Sequence, residues 1–360
     1  MSSDPAGFGR YFVPGPVEVH PEVLAAMMRP MVSHRGPAMA GLLARLQPSL
    51  QRVFRTSEPV LIATSSATGL LEAAVRAGVE RRVLVAVGGY FGERFAQIAE
   101  ACGKEVTRVL VPAGRAIEPA HLAHFLDGPE VDAVAVVHSE TATGALAPLE
   151  AIAREVRRQD DVLLLVDAVS SVGGVPVETD AWGLDFVCTG SQKALALPPG
   201  LALGVASPRL LERARSLTGR GWYFDLLQLE QAARESLPVQ TPAIPLIYAL
   251  ERQLARLEAA GGIEARWARH REMASLVADW CDAHPDFALL APEGQRSWTV
   301  SALRTPGPAG AIVQRLADEG WTLAPGLPPL ADGVLRIGHM GDLEPGHVEH
   351  LLRALERALG

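Results

Sequence analysis

Among the 33 basic side chains of this 360-residue sequence only Lys104 and Lys193 are lysines. Arginine supplies every other full-time positive charge, so a lysine that remains is a candidate for work a guanidinium cannot do: losing a proton, attacking a carbonyl, or forming a Schiff base. Lys104 follows Gly103 between a helical pattern and an apolar run, the setting of an ordinary solvated turn. Lys193 instead closes Gly190-Ser191-Gln192-Lys193, directly after an apolar run. A second group of interest is Asp167, which ends the run Val162-Leu163-Leu164-Leu165-Val166. A carboxylate ending so apolar a segment is costly to bury without a partner. It can cap a loop, or it can be satisfied by a cationic heteroaromatic nitrogen. A third is Thr64-Ser65-Ser66-Ala67-Thr68-Gly69, which opens a helical pattern and would aim hydroxyls and backbone N–H groups at an anion such as phosphate. Taken alone, that segment is most simply a serine or threonine N-cap.

These residues need a scaffold that brings them together. Short apolar runs at Val60–Ala63, Val83–Val87, Thr107–Val111, Ala133–Val137, Asp161–Val166, Leu184–Cys188 and Leu201–Val205 read as strands, and their β-branched, non-alternating composition suits a sheet covered on both faces. Helical patterns fall between them at Leu70–Ala77, Phe91–Ala101, Glu118–Phe125 and Leu149–Arg158. The expectation is an α/β fold with a mostly parallel central sheet of about seven strands covered by helices. Leu246–Ala259 continues as a helix that stops at Gly261-Gly262. The last hundred or so residues read as a smaller C-terminal α/β domain, with helices at Ala265–Ala283, Gly310–Glu319 and Pro345–Leu359 and strands at Thr299–Leu303 and Val334–Ile337. The expected division is therefore an N-terminal segment (1–20) contributing to the site, a large domain (21–260) and a small domain (261–360).

In open parallel sheets ligands bind beyond the carboxyl ends of the strands, which is where Lys193, Asp167 and the Thr64–Gly69 segment all fall. Gly88-Gly89-Tyr90-Phe91-Gly92 and His138-Ser139-Glu140-Thr141-Ala142-Thr143-Gly144 follow two further strands. An amine, a carboxylate that keeps a pyridine nitrogen protonated, and a phosphate cup are the three requirements of a pyridoxal phosphate site. Nucleotide fingerprints do less well, since neither Gly-x-Gly-x-x-Gly after the first strand nor Gly-x-x-x-x-Gly-Lys-Ser/Thr occurs.

Composition limits the alternatives. With 48% hydrophobic and 21% charged residues the chain can bury a substantial core. A net charge of −8 with dispersed basic residues lacks the footprint of a nucleic-acid binder. Cys102, Cys188 and Cys281 are far apart and form no Cys-x-x-Cys pair, against a disulfide framework or thiolate metal site. With no basic-then-apolar start and no membrane-length apolar run, the sequence reads as that of a cytoplasmic protein with no membrane partner.

The segment Leu163 to Ser171, followed by Thr189-Gly-Ser-Gln-Lys-Ala-Leu-Ala-Leu-Pro-Pro-Gly200, resembles the class V aminotransferases of the pyridoxal-phosphate fold-type I superfamily, with serine–glyoxylate and alanine–glyoxylate transaminases the nearest in pattern. Supporting matches are Phe12-Val-Pro-Gly-Pro-Val17, Ser33-His-Arg-Gly36, Thr64 to Gly69, His138 to Gly144 and Leu335-Arg-Ile-Gly338. The resemblance implies that Lys193 forms the Schiff base and shuttles the proton, and that Asp167 pairs with the pyridinium nitrogen. It implies Ser66, Ala67, Thr68 and Gln192 around the phosphate and ring edge, Thr141 and Val169 at the ring, and Phe91 stacked on its face. Thr241 would reach the cofactor phosphate of a neighbouring subunit, making a homodimer with shared active sites. Gly15, Arg35 and Arg336 would meet the substrate, Arg336 as a bidentate clamp on its α-carboxylate. Some relatives have tryptophan in place of Phe91 and histidine in place of Thr68.

The implied activity is a ping-pong transfer of the amino group of serine or alanine to glyoxylate or pyruvate. Ser33-His34-Arg35 also resembles the pattern with which phosphoserine transaminases receive a substrate phosphate, which makes phosphoserine the alternative donor. A cysteine desulfurase-like lyase would need a reactive thiolate on an exposed loop, and none of the three cysteines falls in such a place.

Overall fold

The computed structural model describes residues 7–359, so the first six residues of the expected N-terminal segment lie outside it. Seven strands form the larger sheet: β1 (Leu61–Ala63), β2 (Arg82–Val87), β3 (Glu105–Leu110), β4 (Ala133–Val137), β5 (Leu163–Asp167), β6 (Phe186–Gly190) and β7 (Ala202–Ala206). Their spatial order is β1-β7-β6-β5-β4-β2-β3. Strands β2 to β6 pair in parallel, whereas β7 runs antiparallel to both β6 and β1. This bears out the mixed α/β sheet read from the sequence.

The apolar runs lack alternation because both faces are covered. Leu164 and Val166 enter one core, with Leu46, Leu50, Ile152 and Leu250 from helices on that side. Leu163 and Leu165, one position out of phase, enter the other, with Leu70, Phe95 and Leu210. Asp167 is the next residue of β5, paired with Val137 of β4 and Cys188 of β6, and so sits at the carboxyl end of the central strands.

A second sheet has the order β8-β9-β11-β10 and is wholly antiparallel: β8 (Ala288–Leu289), β9 (Val300–Arg304), β10 (Ala324–Pro325) and β11 (Val334–Gly338). The N-terminal segment is tied to it, since Phe12 N–H donates to Thr322 C=O and Gly338 N–H to Phe12 C=O, both at 2.7 Å. The Phe12 ring is fully buried among Leu335, Ile337 and Trp321. Helix Gly262–Ala283 serves both cores, with Ile263 and Trp267 in the larger and Met273 and Val277 in the smaller.

Three longer helices, Pro37–Phe54, Pro208–Ser216 and Leu226–Arg234, have no counterpart among the elements read from the sequence, and neither does the short helix Pro21–Ala26. The first of the three contains Pro48, a residue that reads as a breaker, yet Leu42, Leu46, Leu50 and Val53 still bury one face. The second is marked by its cap, Ser207, whose Oγ accepts the N–H of Leu210 at 3.1 Å, with Pro208 following as first helical residue.

Candidate active site

At the carboxyl ends of the central strands lies a cavity of about 210 Å³. Lys193 reaches it from the tight connection between β6 and β7. Ser191 closes that connection: its Oγ donates to Pro198 C=O at 2.7 Å and its N–H to Leu201 C=O at 2.9 Å. The lysine stem is thereby held inward, 7% exposed. Its Nζ donates to Pro14 C=O of the N-terminal segment and stands 6.0 Å from the centroid of the Phe91 ring. Burial drives its pKa down to about 8, opposed by the Asp167 charge and reinforced by Arg336. The ammonium still predominates at neutral pH, but the neutral amine that a nucleophile or general base requires is far more populated than for an ordinary lysine.

Asp167 is 6% exposed, and its Oδ1 accepts the N–H of Val169 at 2.9 Å. Burial raises its pKa to about 6 against the pull of that N–H, Lys193 and Arg94. A carboxylate carrying this desolvation cost suits a cationic partner.

The helix Ala67–Gly78 begins at the same cavity. Ser66 is its N-cap but makes no side-chain cap bond, so the N–H groups of Ala67 and Thr68 have neither an intrahelical acceptor nor a side-chain cap. Ser66, Ala67 and Thr68 line it. Gln192 lines it too, and its Oε1 is buried without a hydrogen bond. Phe91, in the first turn of the helix Tyr90–Ala101, lines the cavity as well, as do Val169 and Thr141. Thr141 Oγ1 is fixed by Ser170 Oγ at 2.6 Å. The structure thus gathers Lys193, Asp167, Ser66, Ala67, Thr68, Phe91, Thr141, Val169 and Gln192 around one space.

The other expected residues sit elsewhere. Arg336, on β11, borders Thr141: its Nε donates to Pro325 C=O at 2.9 Å and its Nη1 approaches Thr141 C=O at 3.5 Å. Burial lowers its pKa, opposed by Glu140. Gly15 lies against the lysine, where a Cβ would come within 2.6 Å of Lys193 Cδ. Arg35 is exposed on the turn before the helix Pro37–Phe54, with His34 half-buried beside it. Thr241 is exposed as well, two residues before Ala243, whose N–H reaches Thr64 Oγ1 at 3.1 Å. Within a single chain neither Arg35 nor Thr241 lines the cavity.

Sequence reading missed two charged groups. Arg94 lines the cavity with its guanidinium over the rings of Tyr90 and Phe91, at 5.0 and 5.3 Å from the centroids; its position one turn after Phe91 was the available signal. Glu140 is buried just behind, at the N-terminus of that same helix.

The residues present fit pyridoxal phosphate: a buried amine of lowered pKa, a buried carboxylate in need of a cation, an uncapped helix N-terminus, and an orphaned Gln192 oxygen. The thiols do not suit sulfur-transfer chemistry. Burial raises the pKa of Cys102, takes Cys281 up to about 12, and pushes Cys188 well above the ordinary thiol value.

Residues 23–322 match the family model of class-V aminotransferases. An L-aspartate–glyoxylate aminotransferase of Paracoccus denitrificans is 33% identical, covering 92% of this chain and 86% of its own length. A serine–glyoxylate aminotransferase of Methylorubrum extorquens is 32% identical over 94% and 87% of the two chains. The crystal structure of an alanine–glyoxylate aminotransferase from Nostoc sp. superposes with a TM-score of 0.92 at 32% identity, covering 98% of this chain and 95% of that one. Fold, site chemistry and relatedness agree, and this chain belongs to the class-V aminotransferases, enzymes that depend on pyridoxal phosphate.

Proposed function

We propose that the cavity transfers the α-amino group of a small L-amino acid, serine or alanine, to glyoxylate or pyruvate. The observation that carries this reading is the burial of Lys193 and Asp167 in one small cavity, with the lysine pKa lowered to about 8. Pyridoxal phosphate, when bound, supplies the electron sink that loosens the Cα–H bond and carries nitrogen from donor to acceptor.

The chain's own groups do the rest. The first-turn N–H groups at Ser66, Ala67 and Thr68, with Gln192, hold the phosphate. Asp167 would keep the ring nitrogen of the bound group protonated, and Phe91, Thr141 and Val169, which line the same cavity, would hold its ring. Lys193 Nζ, neutral in part at neutral pH, takes the proton from the substrate Cα and returns it. Arg336 grips the substrate α-carboxylate, which sets the Cα–H bond relative to the ring. Gly15 keeps the N-terminal segment close over Lys193 without a side chain in the way.

Arg35 and Thr241 enter this reading only through a second copy of the chain, in a homodimer that completes each site across its interface: Thr241 toward the phosphate, Arg35 toward the substrate. Their exposure in the single chain is consistent with that role. The glyoxylate acceptor rests on the relatives, whose names share it while their donors differ. Among the described residues no helix is long and apolar enough to cross a membrane; together with the free, dispersed cysteines this supports a cytoplasmic enzyme.

The test is the visible absorption of the loaded protein before and after serine, alanine, aspartate and phosphoserine. A band bleached by serine or alanine and restored by glyoxylate or pyruvate is the expected result. Bleaching by aspartate or by phosphoserine alone replaces the donor assignment, the latter bringing His34 and Arg35 into the site. A protein that takes up no cofactor and shows no band refutes the roles given to Lys193 and Asp167.

A further inference from the structure

Glu140 is a buried carboxylate, 4% exposed, to which nothing above assigns a task. Among the described residues no side-chain cation is hydrogen-bonded to it. Its partners are backbone N–H groups: Oε2 accepts from Phe91 and Gly92, each at 3.1 Å, and Oε1 accepts from Ala142 at 3.0 Å. Phe91 and Gly92 lie in the first turn of the helix Tyr90–Ala101, whose N–H groups lack intrahelical acceptors and whose dipole favours a negative charge. Ala142 lies in Glu140's own loop, which its main chain also closes, the Gly144 N–H donating to Glu140 C=O at 2.8 Å. One side chain therefore bolts a helix start to a strand-end loop.

What the two bolted pieces carry gives the arrangement its meaning. The helix start carries Phe91, and the loop carries Thr141, whose hydroxyl meets Ser170 and whose carbonyl lies beside Arg336. Gly89 shows how closely the carboxylate is packed: a Cβ there would stand 2.6 Å from Glu140 Cγ and 2.7 Å from Cδ.

We propose that Glu140 is a positioning residue of the cofactor site: its carboxylate holds Phe91 and Thr141 at a fixed separation, and so sets the slot that the pyridine ring enters. This rests on the placement of Phe91 and Thr141 at the cofactor proposed above. Glu140→Gln keeps the volume but replaces one acceptor oxygen by an NH₂ group. In either orientation at least one of the three N–H donors then faces a donor.

The experiment measures the dissociation constant of pyridoxal phosphate from the protein and the visible circular dichroism of the bound cofactor. It compares the wild type, Glu140→Gln, Gly89→Ala and, as a control, Ile312→Ala, a core truncation in the smaller domain. Gly89 has an extended φ of 172° that alanine tolerates, so Gly89→Ala displaces the carboxylate while leaving its charge. The expected result is cofactor binding at least tenfold weaker and altered dichroism in both Glu140→Gln and Gly89→Ala. Ile312→Ala should lose Tm without either change. If Glu140→Gln yields no folded protein, Gly89→Ala decides alone. Wild-type affinity and dichroism in the variants, or equal changes in the control, overturn the proposal. A Phe91→Ala variant separates the layers: if it binds cofactor as the wild type does, the placement of Phe91 fails and the role of Glu140 fails with it.

Discussion

Arg336 gives the sharpest test of how the site divides its labour. Its guanidinium has five N–H donors, yet in the free chain it makes one good hydrogen bond, Nε to Pro325 C=O at 2.9 Å, and one long approach to Thr141 C=O at 3.5 Å. Neither partner is a carboxylate. An incompletely paired cation that is 9% exposed contributes little to folding, and it is a reservoir of attraction for an arriving carboxylate. Replacing it by methionine should leave the Tm within a few degrees of the wild type or raise it. The substrate carboxylate would then enter the cavity without its charged partner, and truncating one side of such a buried pair costs about 3–5 kcal/mol. By the factor of ten per 1.4 kcal/mol this is a loss of roughly a hundredfold to several thousandfold in kcat/KM. Arg336→Lys should fall between, since an ammonium supplies charge without the two parallel N–H bonds. Steady-state kinetics with both the amino donor and the keto acceptor check this, because each carries the α-carboxylate and each half of the reaction should suffer. Arg336→Met with kcat/KM within threefold of the wild type for either substrate would refute the assignment. So would a Tm drop large enough to account for the lost activity.

Three further outcomes follow from the same geometry. Lys193 has a folded pKa lowered to about 8 from 10.5, so between those values the unfolded chain binds more protons and the stability of the cofactor-free protein should rise with pH by roughly 1–3 kcal/mol. Urea unfolding of cofactor-free Lys193→Met across pH 7–10 should lack that rise and start from higher stability at pH 7; the same slope in both proteins would contradict it. Gly15→Ala places a Cβ within 2.6 Å of Lys193 Cδ at a φ of +101°, a backbone strain of about 1–3 kcal/mol, and should lower kcat at least tenfold with the cofactor still retained. Unchanged turnover in that variant would mean the N-terminal segment does not sit over the lysine in the working enzyme. Iodoacetamide treatment of the native holoenzyme should leave activity intact, because burial holds all three thiols protonated; inactivation traced to a single cysteine would revive thiolate chemistry.

The sequence carried the larger sheet plainly because strands covered on both faces write themselves as unbroken apolar runs, and because a charged or hydroxyl residue ending such a run is conspicuous. Lys193, Asp167 and the Ser66–Thr68 start stood out on those grounds, with the scarcity of lysine as an independent pointer. The helix Pro37–Phe54 stayed hidden because Pro48 obscured a pattern that tertiary burial of Leu42, Leu46 and Leu50 overrides. The edge strands of the smaller sheet are two residues long and leave no periodicity to read.

Glu140 was invisible for a different reason. It belongs to a segment singled out at a strand end, but a carboxylate in His138-Ser139-Glu140-Thr141 has no stated partner until the chain is folded. Two of its three partners are N–H groups 48 and 49 residues away, and backbone donors carry no residue type. A site reading built on side-chain identities finds the groups that touch a ligand. The groups that hold those groups apart at the right distance bind to the main chain, and only a tertiary structure reveals them. In this fold the distinction has a chemical consequence: Lys193 and Asp167 can be recognised in an extended chain, whereas the slot between Phe91 and Thr141 exists only once Glu140 has closed it.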